Sequence, residues 1–223
     1  MKKSYEGRHG IVIDEARLLR RISHDFGIQS QPLASSRRWA NEAEGCDGMS
    51  KAKGSIFVGA VKALRQRKQE ALAVLPESMH RYLTDRILIA DWYPQEDLLA
   101  LIRALMKIIP GDPDEVLRVM GTATARSLGD GVYSNLMANS GSASTTFALW
   151  SSMHDSGTLK SRRDANTKEI VFELADFGSP SVEMCAITGA FIQESARMSG
   201  HTGTVRKTSC VLEGGACCRW TTS

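Results

Sequence analysis

Cys210-Val211-Leu212-Glu213-Gly214-Gly215-Ala216-Cys217-Cys218-Arg219-Trp220 decides the fold. Glycines in Glu213-Gly214-Gly215 permit the positive φ angles that a tight reversal needs, so the stretch reads as a hairpin with strands over Thr202 to Cys210 and Cys217 to Thr222. Just before it, Met184, Ile187, Phe191 and Ile192 recur at helical spacing within Ser181 to Ser199, and Gly200 stands where a helix terminator is expected. Earlier still the period is two. Ile170, Phe172 and Leu174 alternate with Val171, Glu173 and Ala175, as in a strand with one face on a core. Gly157 to Arg163 would be its hairpin partner, joined through Asp164-Ala165-Asn166. The last third therefore predicts an antiparallel sheet of ββαββ order.

Upstream, the spacing predicts helices. Phe57, Val61 and Leu64, then Ala71, Leu72 and Leu75, recur three and four residues apart. Pro76 opens a short helix with Met79, Tyr82 and Leu83, a position where the missing N–H costs nothing. Asp91-Trp92-Tyr93-Pro94 reads as a break, because a residue before proline is pushed from helical angles. Pro94 to Ile109 is the most apolar helix, with Leu98, Leu101, Ile102 and Leu105 among the residues covering most of its circumference, and should be buried. Asp114 to Ser127 follows, with Asp114 and Glu115 where the helix dipole favours negative charge; further helical segments are expected at Gly131 to Ala138 and Thr145 to Met153. The fold class is α+β, with an N-terminal helical layer packed on a C-terminal antiparallel sheet.

Residues 1–48 differ in character. Ile11 to Ile22 could make one short helix, but Ser30 to Gly48 has loop composition. Two readings stand: a poorly ordered leader, or a misassigned start with Met49 the true first residue. Residues 49–223 form a single domain in either case.

The formal charge of +3 and the interleaving of basic and acidic residues argue against nucleic acid, which wants a basic footprint. No apolar run approaches the ~20 residues of a membrane span, and no export signal is visible. The chain is expected to be cytoplasmic, with its five cysteines reduced. No nucleophile elbow, Walker loop, dinucleotide fingerprint or His-Glu-x-x-His helix occurs, so a non-enzymatic role is preferred.

Lys53-Gly54-Ser55-Ile56-Phe57, Asp91-Trp92-Tyr93-Pro94, Gly121 to Arg126 and Cys210 to Trp220, in that order, resemble a Myxococcales-restricted family of unknown function. The element order resembles the fold shared by 4-vinyl reductase domains, haem-NO-binding domains and TRAPP trafficking subunits. That resemblance implies a single 4-vinyl-reductase-like domain that binds small molecules or proteins. It does not carry haem over, because the Tyr-x-Ser-x-Arg signature of the haem-binding relatives is not found here. His80 and His154 read as surface or capping residues.

A ligand pocket is expected between the helix Pro94 to Ile109 and the sheet face bearing Ile170, Phe172 and Leu174. Its candidate ligand-binding residues are Trp92, Tyr93, Leu98, Ile102, Arg126 and Phe172, for a small hydrophobic or anionic ligand. For Trp92 and Tyr93 a plug at the helix end is the favoured alternative, and for the small residues from Gly121 close helix packing is favoured. Cys210 and Cys217 are candidate metal ligands. Adjacent strand residues point to opposite faces, so Cys217 and Cys218 cannot both meet Cys210, and Cys185 or His201 would have to complete a site. Zinc is possible there, a redox or acyl-accepting thiol is a second use, and small core residues are the favoured one; no cofactor is expected. The leading expectation is a ligand-binding or signalling domain. The alternatives are a dimerising interaction module with a filled core and, third, a thiol or zinc enzyme. A homodimer is expected.

Overall fold

The computed structural model describes residues 50–129, 143–167 and 169–223. The helix within Ile11 to Ile22, the loop over Ser30 to Gly48 and the segment Gly131 to Ala138 lie outside the described residues. The described chain begins with β1 (Lys51–Lys53), α1 (Gly54–Gln66), α2 (Lys68–Val74), a 3-10 turn, α3 (Arg81–Thr84), β2 (Trp92–Pro94), α4 (Gln95–Ile108) and α5 (Pro113–Gly129). There follow α6 (Ala143–Met153), β3 (Thr158–Arg163), β4 (Ile170–Ala175), α7 (Val182–Met198), β5 (Val205–Ser209) and β6 (Cys218–Thr222).

The C-terminal strands form one antiparallel sheet of order β3-β4-β6-β5, with α7 between its two strand pairs in sequence. The predicted ββαββ order is what the molecule shows. Its alternation is visible in burial: Cys218, Trp220 and Thr222 of β6 face inward, as do Ile170, Phe172 and Leu174 of β4. Ser181 caps α7 by accepting a hydrogen bond from the Met184 N–H at 3.1 Å, and Gly200 ends it at φ +85°. Gly214 turns the last hairpin at φ +83°.

One segment departs from the reading of the sequence. Asp91-Trp92-Tyr93-Pro94 is not merely a break: Trp92–Pro94 is strand β2 and pairs antiparallel with β1, Ala52 opposite Tyr93. Strands of three residues carry no period to read, and the partner is distant in sequence.

The core has separate centres. α1, α2 and α4 share one, with Phe57, Leu64, Leu98, Leu101 and Ile102 buried in it. The inner sheet face, α7 and Trp150 share the second. α5 packs along α7, and the contact is close at Gly121, where an added Cβ would lie 2.4 Å from the Ile187 carbonyl oxygen. That bears out close packing as the use of this glycine. Among the described residues no helix is long and apolar enough to cross a membrane.

Candidate functional site

His154 follows directly on α6 and is buried, not a surface or capping residue. Its ring stacks on that of Trp150, four residues earlier, with centroids 4.1 Å apart, and Phe177 meets it edge-on at 5.6 Å. Burial among these apolar groups pushes its pKa down to about 3, so the imidazole is neutral.

Its polar partner is Gln95, the first residue of α4 and fully buried. The Gln95 backbone N–H donates to the Ser50 carbonyl at 2.8 Å, and its side-chain nitrogen lies 3.5 Å from the Met184 sulfur. That leaves the side-chain oxygen toward His154 Nδ1, at 3.1 Å. Nδ1 therefore carries the proton and donates, and Nε2 keeps its lone pair. Gln95 links the start of α4, the end of α6 and the first turn of α7 through one side chain.

His154 borders an apolar cavity of about 70 Å3. Ile170 and Phe172 of the sheet form one wall, Trp150 and Thr146 of α6 another, and Thr188 and Ile192 of α7 a third. A more polar hollow of about 250 Å3 lies at the other end of the sheet, beside Phe177, Cys185, Cys218 and Trp220. The larger hollow has the volume; the smaller has the buried imidazole, and the site is placed there for that chemistry.

The expected site residues are scattered. Phe172 lines the cavity, but Leu98 and Ile102 lie in the other core centre, and α7 and α6 supply the helical walls in place of α4. Tyr93 packs on Phe57 and Tyr82, and its hydroxyl accepts from the Leu88 N–H at 2.9 Å. Trp92 is partly exposed, with the Lys53 ammonium 4.4 Å above its ring. Arg126 donates to Glu194 of α7 at 2.7 Å, which also takes Arg197, so its fork is engaged in an ion pair between α5 and α7. Burial would raise the Glu194 carboxyl, but these two arginines outweigh it and hold it below its ordinary range.

Among the cysteines, Cys210 is buried against Cys185 and Cys218, at 3.9 Å from each sulfur. Cys217 is not in this group; its sulfur lies 4.0 Å from an Arg219 nitrogen. Alternation along β6 puts Cys218 inward and its predecessor elsewhere. Burial pushes the Cys185 thiol up to about 12.

No protein-family model and no curated protein matches the chain. Solved structures do. An H-NOX protein from S. oneidensis in its Fe(II)NO state superposes with a TM-score of 0.55 at 12% identity, over 77% of this chain and 98% of that one. An H-NOX mutant from K. algicida gives 0.54 at 13%, over 77% and 95%. A doubly substituted Tt H-NOX gives 0.52 at 13%, over 77% and 94%. The fold is therefore of the H-NOX kind, one of the three resemblances read from the element order.

Other such neighbours were solved to study haem distortion and haem redox potential. That finding overturns the expectation that no cofactor belongs to this fold, and it gives zinc no support. A tetrahedral zinc site also wants four ligands, and Cys217 does not join the three clustered sulfurs. The donor chemistry here fits a haem: a neutral imidazole in an apolar cavity, its Nδ1–H held by a carbonyl-type oxygen as in metal-ligating histidines. The closed cavity of about 70 Å3 is smaller than a haem needs, since ligand cavities usually measure ~300 to 1,000 Å3.

Proposed function

We propose that this chain is a small-molecule-sensing domain that takes a flat, apolar ligand of the haem class beneath α6, with His154 as the donor. The observation that carries the reading is the His154–Gln95 pair, a buried neutral imidazole with its tautomer fixed and its Nε2 uncommitted. Haem bound there would supply an iron able to take up a small gas. Gln95 sets the ring orientation, Trp150 supports its face, and Phe172, Thr188 and Ile192 keep water away. Because the closed cavity is small, ligand entry parts α6 from α7, and only a ligand with unequal affinity for the closed and open forms shifts that balance. Gln95 ties the same move to α4.

The experiment is anaerobic titration of the chain with ferrous haem, followed by its Soret absorption, with His154→Ala alongside. A 1:1 complex whose spectrum changes or is lost in the variant supports the reading. No uptake, or identical spectra, overturns it. The second reading, an interaction module with its core filled by its own side chains, rests on the small volume of this cavity and is supported by the absence of uptake.

A further inference from the structure

Three sulfurs meet inside the sheet layer, each from a different element: Cys185 in the first turns of α7, Cys210 just after β5 and Cys218 at the start of β6. Their separations are 3.6 Å between Cys185 and Cys218 and 3.9 Å for each of the other two pairs. The triangle is nearly equilateral, and its centre lies about 2.2 Å from every corner. A bond from thiolate to a closed-shell metal ion is about as long, ~2.3 Å in zinc sites. An ion at that point would need no sulfur to move.

We propose that Cys185, Cys210 and Cys218 form a three-coordinate copper(I) site. Sulfur-only ligation selects soft ions, and among these structural zinc sites and iron–sulfur clusters ask for four protein ligands. Among the described residues, no fourth histidine, cysteine or carboxylate joins the group. A monovalent ion that accepts three thiolates matches what is there. The Lys207 ammonium beside Cys210 offsets part of the negative charge that three thiolates bring. The hollow of about 250 Å3 borders both Cys185 and Cys218 and gives the ion a way in. Binding forms Cu–S bonds, and the thiol protons leave to solvent, so affinity weakens in acid. No change of oxidation state is involved. Once filled, the site would tie α7 to the last hairpin; none of the three cysteines lines the cavity beside His154, so copper binding is tested separately from the haem reading.

The test is anaerobic titration of the full chain with copper(I) against bicinchoninate, in parallel with zinc, followed by X-ray absorption on the copper product. The expected result is one copper(I) per chain with three sulfurs at about 2.2 Å. Cys185→Ser and Cys218→Ser should each weaken retention by at least about 100-fold, with Cys217→Ser unchanged. Loss of copper to the competitor overturns the site, as does two-sulfur coordination dependent on Cys217 or a preference for four-coordinate zinc. Absorption on the unmutated chain decides the matter even if a buried variant fails to fold.

Discussion

His154 Nδ1 and Gln95 Oε1 lie 3.1 Å apart inside the protein, joining the end of α6 to the first residue of α4. Neither group has water to fall back on. Gln95→Leu removes the acceptor and leaves an imidazole N–H buried without a partner, at a cost of about 1–3 kcal/mol. The expected reading is a lower urea midpoint with an unchanged m-value, and an unmoved midpoint would contradict it.

The same imidazole imposes a pH dependence. Folded, it titrates at about 3; its ordinary value is 6.5. Above pH 6.5 the ring is neutral in both states and adds no slope. Below it the unfolded chain takes up a proton that the folded chain refuses, so stability falls with acid, by up to about 1.4 kcal/mol per pH unit, until the folded ring titrates. Between pH 6.5 and about 5.5, a unit above the ordinary value of 4.5 at which carboxylates such as Glu183 protonate, His154→Gln should flatten the curve. Parallel curves for parent and variant would count against a buried neutral histidine.

Gly121 is where α5 touches α7. A Cβ there would sit 2.4 Å from the Ile187 carbonyl oxygen and 2.8 Å from the Ala190 Cβ, both on α7. Backbone cannot yield as a flexible side chain would. Gly121→Ala should therefore cost about 1–3 kcal/mol, although alanine is the better helix former. A variant that melts at or above the parent temperature would show that the helices are less tightly apposed.

Glu194 is held by two arginines, and this redundancy is measurable. Arg126→Ala should cost no more than about 1 kcal/mol, since Arg126 is partly exposed and Arg197 remains at 2.7 Å. Removing both should cost more than the two single changes together, because the buried carboxylate then has neither arginine. Additive losses in a double-mutant cycle would argue against the shared pairing.

The sheet was legible because Ile170, Phe172 and Leu174 recur at every second position, and because Gly200 and Gly214 mark reversals that side-chain-bearing residues resist. The cavity was legible on one side only. Phe172 reads as a wall, but the apolar circumference of α4 points to that helix as the opposing one. That circumference serves a different core centre, and which helix covers a sheet is settled by packing between distant segments. His154 reads as a surface or capping residue because a single histidine after a helix has no pattern of its own. The nearest signal was Trp150 four residues before it, one turn along the same face. Gln95 gave none, since a glutamine opening a helix is ordinarily exposed. Of the cysteines, alternation separated Cys217 from Cys218, but which one faces Cys210 depended on a strand register that no local feature fixes.

The central claim is that the space bounded by α6, α7 and the inner sheet takes up one flat ligand through His154. Native mass spectrometry of the full chain after incubation with ferrous haem tests it most directly, beside His154→Ala and Ala196→Phe, the latter filling the cavity from α7. The account predicts one haem mass per parent chain and its loss or sharp reduction in both variants. A parent chain that stays bare, or variants that load as fully as the parent, would contradict it.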